Sequence, residues 1–118
     1  MTRKELINEY KNTKFRAGVF QIRNTANGKL YVEGSVNLDK IWNRHRLELE
    51  FGGHRNTELQ QEWKIYGESA FVFEILGELA LQEEQSDEEL KKEVKLLEQM
   101  YLEELQPFGE KGYHWKPK

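Results

Sequence analysis

Apolar residues recur along this chain with two different periods, and the changes of period mark out its elements. Leu6, Ile7 and Tyr10 stride by three to four, which predicts a short amphipathic helix over residues 2–12, opened by Thr2 with Glu5 completing a capping box. Residues 18–24 and 29–35 alternate with period two on either side of Asn27-Gly28, the pattern of an antiparallel hairpin. Behind Asn37, a capping residue, Leu38, Ile41, Trp42, His45 and Leu49 share one helical face, and Gly52-Gly53 stops that helix. Asn56 or Thr57 opens another helix, which carries Leu59, Trp63 and Tyr66 and ends at Gly67. Residues 71–76 form an apolar run of strand length, and residues 79–87 are polar and acidic, predicting a loop. Ser86 and Glu89 make a second capping box, followed by a stripe of Leu90, Val94, Leu97, Tyr101 and Leu105 that Pro107 and Gly109 end.

The predicted order is helix, strand, strand, helix, helix, strand, helix. This is an α/β chain of the α+β type: a small three-stranded antiparallel sheet flanked by helices, with an extra N-terminal helix. The 118 residues suit one domain. It divides into a helical extension (residues 1–16), a core (17–77), a C-terminal helix (86–106) and an aromatic tail (107–118). Gly112-Tyr113-His114-Trp115 is too aromatic for a free terminus and is expected to pack back.

Composition adds exclusions. Hydrophobic residues are 37% and charged residues 33% of the chain, which fits a soluble domain with a modest core. No apolar run nears the roughly 20 residues of a membrane span, and the first residues lack the apolar stretch of a signal peptide. With no cysteine, disulfides and thiolate metal sites are excluded, and a cytoplasmic location is expected. The net charge of −3 hides an asymmetry. Residues 1–46 carry ten Lys/Arg against four Asp/Glu, and residues 47–105 carry five against sixteen. The basic third supplies a positive face for nucleic acid on one reading, and a merely solvated face opposite an acidic helix on the other.

Two polar groups stand on apolar stripes. His45 lies between Ile41 and Leu49, and Glu98 lies between Val94 and Tyr101. A hydrogen-bonded core histidine and a structural ion pair account for them without any chemistry. A site is the alternative, because a carboxylate so placed needs partners, a metal or solvent. His54, in Gly-Gly-His-Arg-Asn, reads most simply as a loop residue bonded to nearby backbone. HExxH, GxxxxGK[ST] and GxSxG are all absent.

GVFQIRNTANGKLYVEGS resembles the two-strand core of the GIY-YIG nuclease family, in its homing and phage-type branch. NLDKIWNRHR and GGHRNTELQQEWKIYGESAFVFEIL resemble the helix and the segment that follow. The resemblance runs in register from Gly18 to about Leu76 and extends loosely to Tyr113. It implies metal-assisted phosphodiester hydrolysis. Tyrosine and histidine activate water, an arginine on the first helix after the hairpin steadies the phosphate, and a glutamate holds a divalent metal, usually Mg²⁺.

Carried onto this chain, the resemblance implies catalytic roles for Tyr31, His45 and His54, and a metal role for Glu98. Four motif positions depart from it: Phe20 for the first tyrosine, Glu33 for a glycine, Ile41 for the arginine and His114 for a late asparagine. Loss of one preorganised donor costs about 10²–10³ in rate. The leading expectation is therefore a catalytically impaired domain that binds nucleic acid or another phosphate-bearing ligand in its former cleft. An active endonuclease with a rearranged site, Arg44 replacing the missing arginine, is a second. A protein-interaction module, docking through the acidic last helix and the tail residues Tyr113 and Trp115, is a third. Homing-type relatives look two-part, and these 118 residues leave no length for a separate targeting region, so sequence-specific cutting is not expected.

Overall fold

The computed structural model describes residues 16–80 and 85–114. The helix expected over residues 2–12 and Trp115 lie outside the described residues. Strands β1 (Ala17–Asn24), β2 (Leu30–Ser35) and β3 (Phe71–Leu79) form one antiparallel sheet in the order β2-β1-β3. Helices α1 (Leu38–Phe51) and α2 (Thr57–Tyr66) fill the connection between β2 and β3, and α3 (Asp87–Leu105) follows β3. The α+β architecture expected from the sequence is thus the one observed.

The caps fall where the side chains place them. Asn37 Oδ1 accepts the Lys40 amide at 3.1 Å, Asn56 Oδ1 the Leu59 amide at 3.0 Å, and Ser86 Oγ the Glu89 amide at 3.1 Å. Gly52 closes α1 with φ 82°, a left-handed conformation that costs glycine little. One end differs from expectation. β3 continues to Leu79 because Glu78 and Leu79 pair with Gly18 and Ala17. The apolar signal fades at Gly77 while the backbone pairing does not. α3 ends at Leu105, just before the expected proline stop, with Gln106 as its cap at φ 45° immediately ahead of Pro107.

Helices α1 and α2 cover one face of the sheet. There Phe20, Ile22 and Tyr31 pack with Leu38, Leu49, Leu59, Trp63 and Phe71. Trp42 stacks on Phe73, and Trp63 lies against Phe71. Helix α3 covers the other face through Val94, and Tyr101 donates its hydroxyl to the Leu76 carbonyl at 2.9 Å. The tail runs beside β2, and the Tyr113 amide donates to the Leu30 carbonyl at 3.0 Å. Tyr113 is fully buried and donates its hydroxyl to Glu62 at 3.0 Å. That corrects the expectation that it lies on a docking surface: its ring belongs to the core.

Candidate active site

Strand register gathers the polar side chains. Phe20 stands opposite Glu33 and Ile22 opposite Tyr31, so all four project from the face that α1 covers. His45 meets them from the buried side of α1, its ring 5.6 Å from that of Phe20 and 5.5 Å from that of Tyr31.

A directed chain of hydrogen bonds connects this cluster. The Asn56 amide donates to His54 Nδ1 at 3.0 Å, which leaves the His54 proton on Nε2. That atom faces His45 Nδ1 at 2.7 Å, so His45 accepts there and carries its own proton on Nε2. His45 Nε2–H donates to Glu33 Oε2 at 2.6 Å. One backbone amide thereby fixes the tautomers of two buried imidazoles. The loop that carries His54 is held in turn by Gln60, whose Oε1 accepts the His54 amide at 3.0 Å and whose Nε2 donates to the Leu49 carbonyl at 2.9 Å.

The second oxygen of Glu33 accepts from the Arg55 guanidinium and from the Tyr31 hydroxyl, the latter at 3.3 Å. Burial pushes the Glu33 carboxyl up, but the His45 hydrogen bond, the Arg55 charge and the Tyr31 hydroxyl outweigh it and hold the group below the usual carboxylate range. Burial and the neighbouring Glu33 charge raise the Tyr31 phenol to about 12. Tyr31 is therefore a hydrogen-bond donor here and a poor base. Burial, with His45 alongside, holds His54 below the ordinary histidine range.

Beside this cluster an open cleft of about 720 Å³ follows the outer edge of β2, between Arg55 on one side and Glu98 on the other. Edge-strand amides need partners. Gly34 donates its N–H to Glu98 Oε2 at 2.7 Å, and Val32 donates to His114 Nε2 at 2.7 Å. The His114 ring stacks on Tyr31 with centroids 5.1 Å apart, and burial lowers its proton affinity. Only glycine at position 34 admits α3 this close: a Cβ there would stand 2.6 Å from Val94 Cγ1 and 3.1 Å from Glu98 Oε2.

No family model matches the chain. Over 64 residues it is 38% identical to Intron-associated endonuclease 1 of Enterobacteria phage T4, a stretch that covers 54% of this chain and 26% of that protein. The chain thus spans about a quarter of the length of the curated relative it matches. It also superimposes on two solved structures of the catalytic domain of intron endonuclease I-TevI. One matches at 30% identity and a TM-score of 0.64, over 77% of this chain and 84% of that one. The other matches at 29% identity and a TM-score of 0.69, over 86% of this chain and 99% of that one. The chain belongs to the GIY-YIG nuclease family.

Within this GIY-YIG domain the expected residues separate. Tyr31, His45 and His54 come together, joined through Glu33, and His114 and Glu98 line the adjoining cleft. Phe20 is wholly buried against Phe73, with centroids 4.9 Å apart, and presents no hydroxyl. Ile41 packs against the core. Arg44 does not reach the cleft, contrary to expectation. It lies on the exposed side of α1 and pairs with Glu48 one turn on, at 3.0 Å. Among the residues lining the cleft the cation is Arg55, which sequence reasoning missed. A single arginine in a loop has no periodicity to betray it; its place directly after His54 was the available signal.

GIY-YIG endonucleases are in general divalent-metal dependent. Among the described residues no three His, Asp or Glu side chains form a metal cage. Two carboxylates line the cleft, and with Glu33 engaged by His45, Tyr31 and Arg55, the hard donor on the open side is Glu98. That fits Mg²⁺, which typically takes one or two carboxylates and completes its shell with water and substrate phosphate.

Proposed function

We propose that this GIY-YIG domain binds a phosphate-bearing chain, nucleic acid, along the β2-edge cleft, and cleaves it poorly or not at all. The observation that carries this reading is the placement of Glu33. Its carboxylate takes the His45 N–H and the Tyr31 hydroxyl, groups that a nuclease of this fold would turn toward water and phosphate, and the guanidinium of Arg55, the cation lining the cleft. The buried Phe20 and the partly buried Ile41 supply no substitute donor. Glu98 would hold Mg²⁺ where a metal binds, and the ion would neutralise phosphate charge there. Binding is tested by titrating duplex DNA against salt, since phosphate contacts make affinity fall steeply with ionic strength. Weak, salt-independent binding would sink the reading.

A second reading, an active endonuclease with a rearranged site, is favoured by Arg55, which stands at the cleft in place of the cation absent at Ile41. Nicking of supercoiled plasmid with Mg²⁺ or Mn²⁺ separates the two. Efficient turnover that Glu98→Ala abolishes would establish the second reading over the first.

A further inference from the structure

Glu33 is held as a ligand is held. Both carboxylate oxygens are engaged, Oε2 by the His45 N–H at 2.6 Å and Oε1 by the Arg55 guanidinium and the Tyr31 hydroxyl. The three donors come from three different elements: β2, α1 and the loop before α2. Two of the three are fixed from behind. The His54–Asn56 chain orients His45, and the His114 ring stacks on Tyr31. Arg55 donates to the Tyr31 oxygen at 3.3 Å as well. Such convergence of charged and neutral donors on two oxygens is the arrangement that recognises carboxylate and phosphate alike. The site is also continuous with open space, because Tyr31, Glu33 and Arg55 all line the cleft.

We infer that Tyr31, His45 and Arg55 form a phosphate-oxyanion site that the chain's own Glu33 occupies, so that Glu33 is a built-in competitor for any phosphate entering the cleft. Two oxygens of a phosphate group would take the positions of Glu33 Oε1 and Oε2. While Glu33 remains in place, a phosphate meets both a filled site and a like charge. This inference rests on the cleft reading proposed above, and it changes what is expected of the unmodified chain. Its Arg55 is already paired with Glu33, so a phosphate group alone binds it weakly.

The test uses inorganic phosphate and dimethyl phosphate, titrated at constant ionic strength into the full chain and into Glu33→Ala, and followed by phosphorus NMR or calorimetry. Glu33→Ala is expected to bind one or both anions about tenfold or more tightly than the unmodified chain. Adding Arg55→Ala to it is expected to remove the gain. Glu33→Gln keeps the side-chain shape and a carbonyl acceptor for Arg55. It is read in the same way should the alanine variant melt early. Preference for dimethyl phosphate assigns the site to a phosphodiester within a chain, and preference for inorganic phosphate to a terminal phosphate. The inference is overturned if neither variant gains affinity for either anion, or if the gain survives loss of Arg55. Failure of the unmodified chain to bind duplex DNA would count against the proposed function while leaving this result standing, so the two fail separately.

Discussion

His45 donates its Nε2 proton to Glu33 across 2.6 Å, and both side chains are shielded, with relative exposures of 4% and 14%. The glutamate that departs from the family pattern is thereby a partner of the histidine that follows it. Removing the histidine leaves a carboxylate oxygen short of its donor in a dry setting. His45→Ala is expected to destabilise the fold by about 1–3 kcal/mol, measured by urea denaturation. A variant as stable as the parent would show that Glu33 does not depend on this bond.

Stability should fall in two stages as pH drops. His54 and His114 are held below the ordinary histidine value of 6.5, so the unfolded chain binds their protons first. Their contribution is complete above that pH and diminishes below it. Glu33 and Glu62 are held below the ordinary carboxylate value of 4.5. Their contribution is present above that pH and is lost as pH falls through their lower folded-state values. Urea midpoints measured between neutral and acid pH check the order. Flat stability through the histidine range would contradict the burial of His54 and His114.

Two glycines should respond differently to alanine. At Gly34 the added methyl collides with Val94 and crowds Glu98, so a loss of about 1–3 kcal/mol is expected. At Gly53 a Cβ meets nothing within 4 Å, and the change should stay within about 0.5 kcal/mol. Thermal melting of the two variants side by side decides it, and equal melting points would show that α3 is free to move off β2.

Arg55 and Arg44 should differ in nucleic-acid binding. In the Glu33→Ala background, where Arg55 is released to the cleft, adding Arg55→Ala lowers the slope of log affinity against log salt by about one. Arg44 pairs with Glu48 away from the cleft, and Arg44→Ala should change that slope far less. The reverse ranking would move the binding face to the exposed side of α1.

Much of the architecture was legible in the chain because local signals carry it. Period two around Asn27-Gly28 wrote the hairpin, and Asn37, Asn56 and Ser86 opened three helices through their own side-chain oxygens. The alternation of β2 also put Tyr31 and Glu33 on one face, and the stride of α1 put His45 on its apolar side. Those properties depend on residues a few positions apart, and a sequence states them directly. The partners of those residues it could not state. Glu33 read only as a departure from a glycine, and it is pairing with β1 and the docking of α1 that turn it onto His45. Glu98 read as a metal ligand at the edge of a stripe, and helix packing against Gly34 adds a partner the sequence could not state, an edge-strand amide. Arg55 carried no pattern, and only the loop between two helices, folded over the sheet edge, brings it to the cleft. Periodicity fixes which face a side chain leaves by. What it meets there is set by contacts between residues far apart in the chain, and those exist only once the sheet has closed and the helices have packed on it.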